Sequence, residues 1–121
     1  MRRIFIEVPV FTKRWKELSF TEEDLRELQL LLLNDPESGS IMQGTGGIRK
    51  IRIRKGERGK SGGARVCYID FKEYERLYLI TVFSKKEKEN LSKEERIILH
   101  DLVQKLKQSL RERKRYHEPA V

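Results

Sequence analysis

The residues best equipped for chemistry lie between Arg49 and Arg65, in the stretch "RKIRIRKGERGKSGGAR". It holds eight cations, Arg49, Lys50, Arg52, Arg54, Lys55, Arg58, Lys60 and Arg65, against one acid, Glu57, a net +7 where the whole 121-residue chain carries +8. Such a concentration suits a polyanionic partner. A guanidinium grips a phosphate with two parallel hydrogen bonds and stays charged, whereas a lysine crowded by other cations gives up its proton more readily and can serve as a base. The glycines around Lys60 and Ser61 let the backbone approach a phosphate with no Cβ in the way. If that phosphate belongs to RNA, cleavage at the neighbouring 2′-hydroxyl needs a proton acceptor, positive charge on the phosphorane and a donor for the leaving oxygen. A lysine and arginine cluster meets all three needs without a metal. A module that grips RNA without cutting it explains the charge equally well, and a hairpin whose charges are merely solvated is the plainest account.

Other chemistries find little to work with. One cysteine, Cys67, excludes an intramolecular disulfide, and with only His100 and His117 beside it no zinc spacing can be assembled. The acids fall mostly at the starts of predicted helices, where the macrodipole accounts for them, so no metal and no cofactor are expected. His100 lies inside the last helical pattern and His117 in the tail, so neither is expected as a catalytic base. Phe11 and Trp15 are expected in packing rather than as a stacking platform for bases. Tyr68, Tyr78 and Phe83 read as core, with Phe83, just ahead of Lys85, the nearest of them to an RNA site.

These candidates need a frame. "RRIFIEV" alternates as a strand, and residues 10 to 18 form a short amphipathic helix. "TEEDLRELQLLLLNDP" opens on a capping box, Thr21 with Asp24, carries Leu25, Leu28 and Leu32 at helical spacing, and stops at Asn34 and Pro36. After the glycine loop "ESGSIMQGTGG", "IRKIRIR" puts Ile51 and Ile53 on one face and Lys50, Arg52 and Arg54 on the other. "ARVCYIDF" and "RLYLITVF" are two more strands, the second apolar enough for a central place. "LSKEERIILHDLVQKLKQSL" has a second capping box, Ser92 with Glu95, and an apolar stripe of Leu99, Leu102, Val103, Leu106 and Leu110. The order β-α-α-β-β-β-α predicts one α+β domain over residues 1–110, an antiparallel sheet with helices on one face, followed by a basic tail, 111–121, expected to fray. No run of about 18 apolar residues and no signal-peptide pattern occurs, so a cytoplasmic location is expected.

The segments "NDPESGSIMQGTGGIRKIRIR", "GKSGGARVCYI" and "YLITVFSKKEKENLSKEER" together resemble the signatures of RelE/HigB-like toxins of bacterial type II toxin–antitoxin systems. The similarity runs from "IFIEVPVFTKRWKEL" to about Leu106. The resemblance implies a microbial-RNase-like fold, entry into the ribosomal A site and metal-independent cleavage of mRNA there. It implies silencing by a cognate antitoxin of helix-turn-helix type, and contact with operator DNA through the antitoxin complex. By motif, Lys60, Arg65 and Lys85 take the catalytic positions, and Arg49, Lys50, Arg52, Arg54, Arg58 and Lys86 the RNA-binding ones. Ser61 stands where a second basic residue is frequent, and no tyrosine follows Lys85. An inactive homologue kept for its antitoxin is the alternative that these departures leave open.

Overall fold

The computed structural model describes residues 2–54 and 63–117. Strand β1, Ile4–Glu7, leads through Val8 into helix α1, Pro9–Glu17, whose proline takes the first helical turn, where its missing N–H costs nothing. Helix α2, Glu22–Asn34, starts on the expected capping box: the Asp24 N–H donates to Thr21 Oγ1 (3.1 Å) and the Thr21 N–H to Asp24 Oδ2 (2.9 Å). Strands β2, Ser40–Ile41, β3, Arg49–Ile53, and β4, Ala64–Phe71, follow. A 3-10 turn, Lys72–Tyr74, leads to β5, Arg76–Ser84, and helix α3, Lys93–His117, closes the order.

The five strands form one sheet in the order β1-β5-β4-β3-β2. It is antiparallel from β2 to β5, but β1 adds to β5 in parallel, Ile4 opposite Arg76, so the sheet is mixed rather than antiparallel throughout. The reason is the chain path: β1 enters β5 after a long excursion through two helices and three strands, not by a hairpin. The two-residue β2 is an element beyond the predicted order, a short edge set by Gly39 in what reads as loop.

Helices cover both faces of the sheet, a correction to the expected single helical layer. Phe11, Trp15, Phe20, Leu28 and Leu32 of the α1–α2 side pack with Ala64, Val66, Tyr68, Leu77, Leu79 and Val82. Val103 and Leu110 of α3, with Leu99, Leu102 and Leu106 beside them, pack against Cys67, Ile69, Phe71, Tyr78, Ile80 and Phe83 on the other face. The strand sequences carry the cause. Along β4 the residues alternate between these two cores with scarcely a polar position, as in a strand buried on both sides. In β5 the run Leu79-Ile80-Thr81 breaks alternation, with Thr81 opposite Cys67 and Leu79 opposite Tyr68, leaving Ile80 as the extra residue of a bulge. Helix α3 continues to His117, seven residues past the end of the apolar stripe at Leu110, through the segment expected to fray.

Candidate nucleic-acid interface

On β3 the side chains of Ile51 and Ile53 turn to the α1–α2 core. Lys50 and Arg52 therefore turn to the face that α3 covers, at the end where α3 has not yet begun. Arg52 lies directly opposite Arg65 of β4, and Lys50 opposite Cys67. Two like charges facing each other across a ladder, with Cβ atoms about 5 Å apart, destabilise the sheet, so the fold keeps the Arg52–Arg65 pair at some cost. The loop after β5 closes the site. Ser40, Lys50, Arg52, Arg65, Glu89 and Asn90 line an open cleft of about 350 Å³.

Contacts from this loop hold two of the cations. Lys50 Nζ donates to Asn90 Oδ1 (2.7 Å), and Arg65 Nε donates to the Glu89 carbonyl at 3.4 Å. Arg52 is exposed, and among the described residues no carboxylate pairs with Lys50, Arg52 or Arg65. Among the described residues the cleft thus offers three cations, with the exposed Glu89 as its one acid.

The cleft is held from beneath. Tyr68, fully buried, donates its hydroxyl to the Pro36 carbonyl (2.8 Å) and accepts the Gly39 N–H (2.9 Å). A Cβ on Gly39 would stand 2.9 Å from both the Lys50 carbonyl and the Tyr68 ring, so only glycine lets β2 start beside β3. Thr45, also fully buried, donates to the Met42 carbonyl (2.7 Å) and accepts the Ile48 N–H (3.1 Å). It organises the turn in which Gly44, Gly46 and Gly47 take positive φ, and so sets the entry of β3.

The expected site residues part company. Lys50, Arg52 and Arg65 come together. Arg49 does not join them: it projects to the other side of β3, where its Nη1 donates to the Glu37 and Gly39 carbonyls (3.2 and 2.7 Å) and ties down the preceding loop. Arg54 is exposed just past the end of β3, and Lys60 and Arg58 lie outside the described residues. Lys85 and Lys86 are exposed on the turn after β5, outside the cleft lining, although the Lys85 N–H donates to the Gly63 carbonyl (3.3 Å). That turn is well fixed. Glu87 and Ser84 exchange hydrogen bonds at 3.2 Å each, and the Glu87 carboxylate also pairs with Arg14 of α1. These donors hold the Glu87 carboxyl below the ordinary range, the Ser84 N–H first among them.

Several side chains drop out of the chemistry. Cys67 is buried beneath Lys50, and desolvation pushes its thiol up to about 12 despite the nearby lysines, so it is no nucleophile. Phe83 belongs to the α3-side core, with Lys88 Nζ 5.5 Å over its ring, and Lys88 pairs in turn with Glu95. His100 packs near Gly46, away from the cleft lining. Among the described residues no cluster of His, Cys, Asp and Glu could hold a metal ion, and no helix is long and apolar enough to cross a membrane. Ser40, Glu89 and Asn90 are the lining residues that the sequence reading passes over. The only signal for the last two is their place in "SKKEKEN", just after a predicted central strand.

A family model described as the RelE toxin of the RelE/RelB toxin–antitoxin system matches residues 4–115. The chain belongs to the RelE toxin family. A solved structure of E. coli toxin RelE, a double-arginine mutant in the free state, is 23% identical, with a TM-score of 0.55 over 73% of this chain and 88% of that one. That likeness supports the RelE-like fold, a mixed sheet with three helices. This RelE-family chain is thus a toxin of a toxin–antitoxin system, and its cationic cleft sits on the fold of that family.

Proposed function

We propose that this toxin is a metal-independent endoribonuclease that cleaves mRNA in the ribosomal A site by 2′-hydroxyl attack, and that it works in the cytoplasm under the control of a cognate antitoxin. The observation that carries the reading is the Arg52–Arg65 pair, like charges set opposite each other in a cleft whose described lining holds a single exposed acid. Among the described residues no carboxylate neutralises that pair, and a bound phosphate would. Arg65 and Arg52 then grip the scissile phosphate and offset the charge that develops on its oxygens. Lys50, steadied by Asn90, holds an adjoining phosphate. Lys85, whose N–H donates to the Gly63 carbonyl, and Lys60, by its motif alone, serve as the candidate proton carriers. Arg54 and Lys86 extend the cationic rim, Arg58 is assigned to RNA binding by its motif alone, and Arg49 serves the loop beneath.

Among the described residues the cleft is lined by no histidine, so it holds no ready acid–base pair. It gains most from having the 2′-hydroxyl aligned for it, a proximity effect worth several kcal/mol when the ribosome presents the strand. The test is induction in cells and cleavage on programmed ribosomes. Growth arrest with cuts in translated mRNA, and poor cutting of naked RNA, is the expected outcome. Rapid cutting of purified RNA at catalytic protein levels would overturn ribosome dependence. No cutting, with ribosome binding retained, would favour the non-catalytic binding module. The antitoxin is expected to be a small helix-turn-helix protein whose acidic or amphipathic segment covers the cationic cleft, so that operator DNA is met only through the complex.

A further inference from the structure

At the opposite end of β4 from Arg65 a second cleft of about 370 Å³ opens between the 3-10 turn and the C-terminal half of α3. Phe71, Lys72, Glu73, Tyr74, Lys107 and Arg111 line it, with Asp70 at its edge. Asp70 is already taken: Arg3 donates to both its oxygens, Nε at 2.7 Å and Nη2 at 3.1 Å, in a largely buried pair. The guanidinium of Arg3 has its pKa raised by that hydrogen bond. Among the described residues, Lys72, Lys107 and Arg111 have no ion-pair or hydrogen-bond partner for their side chains. Lys107 and Arg111 are one helical turn apart and share a face, and Lys72 meets them from the turn. The described lining thus sets three free cations against one free acid, Glu73, and is electropositive too.

Arg65 and Phe71 lie six residues apart on the same face of β4, so the two clefts are about 20 Å apart. The helix between them does not connect them electrostatically. Residues 97–104 contribute no lysine or arginine, Ile97 and Ile98 are 60% and 67% exposed, and Lys105 is paired with Asp101 at 3.1 Å. A single strand threaded along α3 from the first cleft would meet no unpaired cation on residues 97–105. A structured RNA that offers phosphates at separate places needs no such track.

From this arrangement we infer that the Lys72–Lys107–Arg111 cleft is a second anchoring site, for the phosphate backbone of ribosomal RNA, separate from the cleft that meets the cut strand. It rests on the ribosome-dependent reading above and adds to it the surface that docks the toxin on the ribosome before any mRNA is engaged. A phosphate contact of this kind contributes affinity and salt dependence without base specificity.

The experiment measures binding of the full chain to vacant ribosomes, which carry no mRNA, over a range of salt, for the parent, Lys107→Gln/Arg111→Gln and Lys72→Gln. The double variant is expected to bind about tenfold more weakly, with its log affinity against log salt slope shallower by about 2, and Lys72→Gln by about 1. The cleavage rate on programmed ribosomes at saturating toxin is expected to stay at the parental value. Lys72→Gln lies outside α3, so it separates a lost anchor from a disturbed helix. Parental affinity and slope in both variants would overturn the anchor while leaving the proposed nuclease intact. So would variants that bind ribosomes normally but lose the antitoxin, which would make the cleft a protein-binding surface. A parental chain that neither binds nor cuts on ribosomes would overturn the nuclease reading and the anchor with it.

Discussion

Arg65→Ala is the perturbation that separates fold from chemistry most cleanly. The side chain is half-buried, stands opposite Arg52, and makes one long hydrogen bond, 3.4 Å, to the Glu89 carbonyl. Losing that bond costs a few tenths of a kcal/mol, and relieving the like-charge contact with Arg52 returns a similar amount, so the net stability change is within about 1 kcal/mol. For a domain of this size that is a shift in melting temperature of at most about 6 °C. The rate behaves differently. Removing a bidentate hold on the developing phosphorane costs on the order of 3 kcal/mol of barrier, about a hundredfold. Arg65→Lys keeps the charge and loses the fork, so it should recover part of that loss. If Arg52 and Arg65 grip one phosphate, the double alanine variant should lose less than the sum of the single losses, because either truncation breaks the same grip. The assay is thermal melting beside mRNA cleavage on programmed ribosomes. An Arg65→Ala chain that melts normally and cuts at the parental rate would refute the placement of the site, and one that fails to fold would make Arg65 structural.

Four further outcomes follow from particular contacts. Leu32→Ala, at a fully buried position, should cost about 2 to 5 kcal/mol of stability and leave the cleavage rate of the folded fraction unchanged, read by denaturant melts and activity corrected for folded protein. Gly39→Ala should both destabilise the fold and weaken RNA binding, since the new methyl forces the Lys50 carbonyl or the Tyr68 ring to move; a variant that melts and binds like the parent would count against β2 as the floor of the cleft. Cys67 should resist alkylation in the native chain near pH 8 and react on unfolding. Its folded pKa is raised from 9.0 to about 12, so the stability it contributes is complete below about pH 9 and is lost as the pH climbs toward 12, which alkaline melts of the parent and Cys67→Ala would compare. Glu95 is held below the ordinary carboxyl range by Lys88 and the Ser92 N–H, so Glu95→Gln should destabilise α3 at neutral pH by about 1 kcal/mol or less, and the difference should shrink as the pH falls through the carboxyl range.

Local chemistry was legible. Both capping boxes, the Leu28 and Leu32 stripe of α2, the Leu99 to Leu110 stripe of α3 and the inward turn of Ile51 and Ile53 stand in the fold where their spacing puts them. Periodicity of 3.6 or 2 reports which face an element buries, and each of these is a one-face question. What periodicity cannot report is which of two cores receives that face. The apolar run of β4 and β5 signals a strand buried on both sides, yet nothing local to α3 says that it lies opposite α1 and α2. The same limit explains Arg49. It belongs to the basic run by composition, but an alternating strand must send Arg49 away from Lys50, and two carbonyls of the preceding loop take it. Glu89 and Asn90 were hidden for another reason. They reach the cleft through a loop whose path is set by the Ser84–Glu87 turn and the Lys88–Glu95 pair, contacts that no spacing rule announces.

The parallel pairing of β1 with β5 has a bearing on synthesis. Ile4 leaves the ribosome early, but its partner Arg76 follows 72 residues later. At about 5 to 20 residues per second, the first strand waits roughly 4 to 14 seconds for the strand that completes it. Until β5 emerges, β4 also lacks its longest neighbour, and the β3–β4 ladder that sets Arg65 opposite Arg52 is without the central strand beside it. The cleft also needs Glu89 and Asn90, which follow β5, so the ribosome making the toxin has nearly finished before the cleft can form. If the target is translation, as proposed above, that delay gives a cognate antitoxin time to be present when the site first closes.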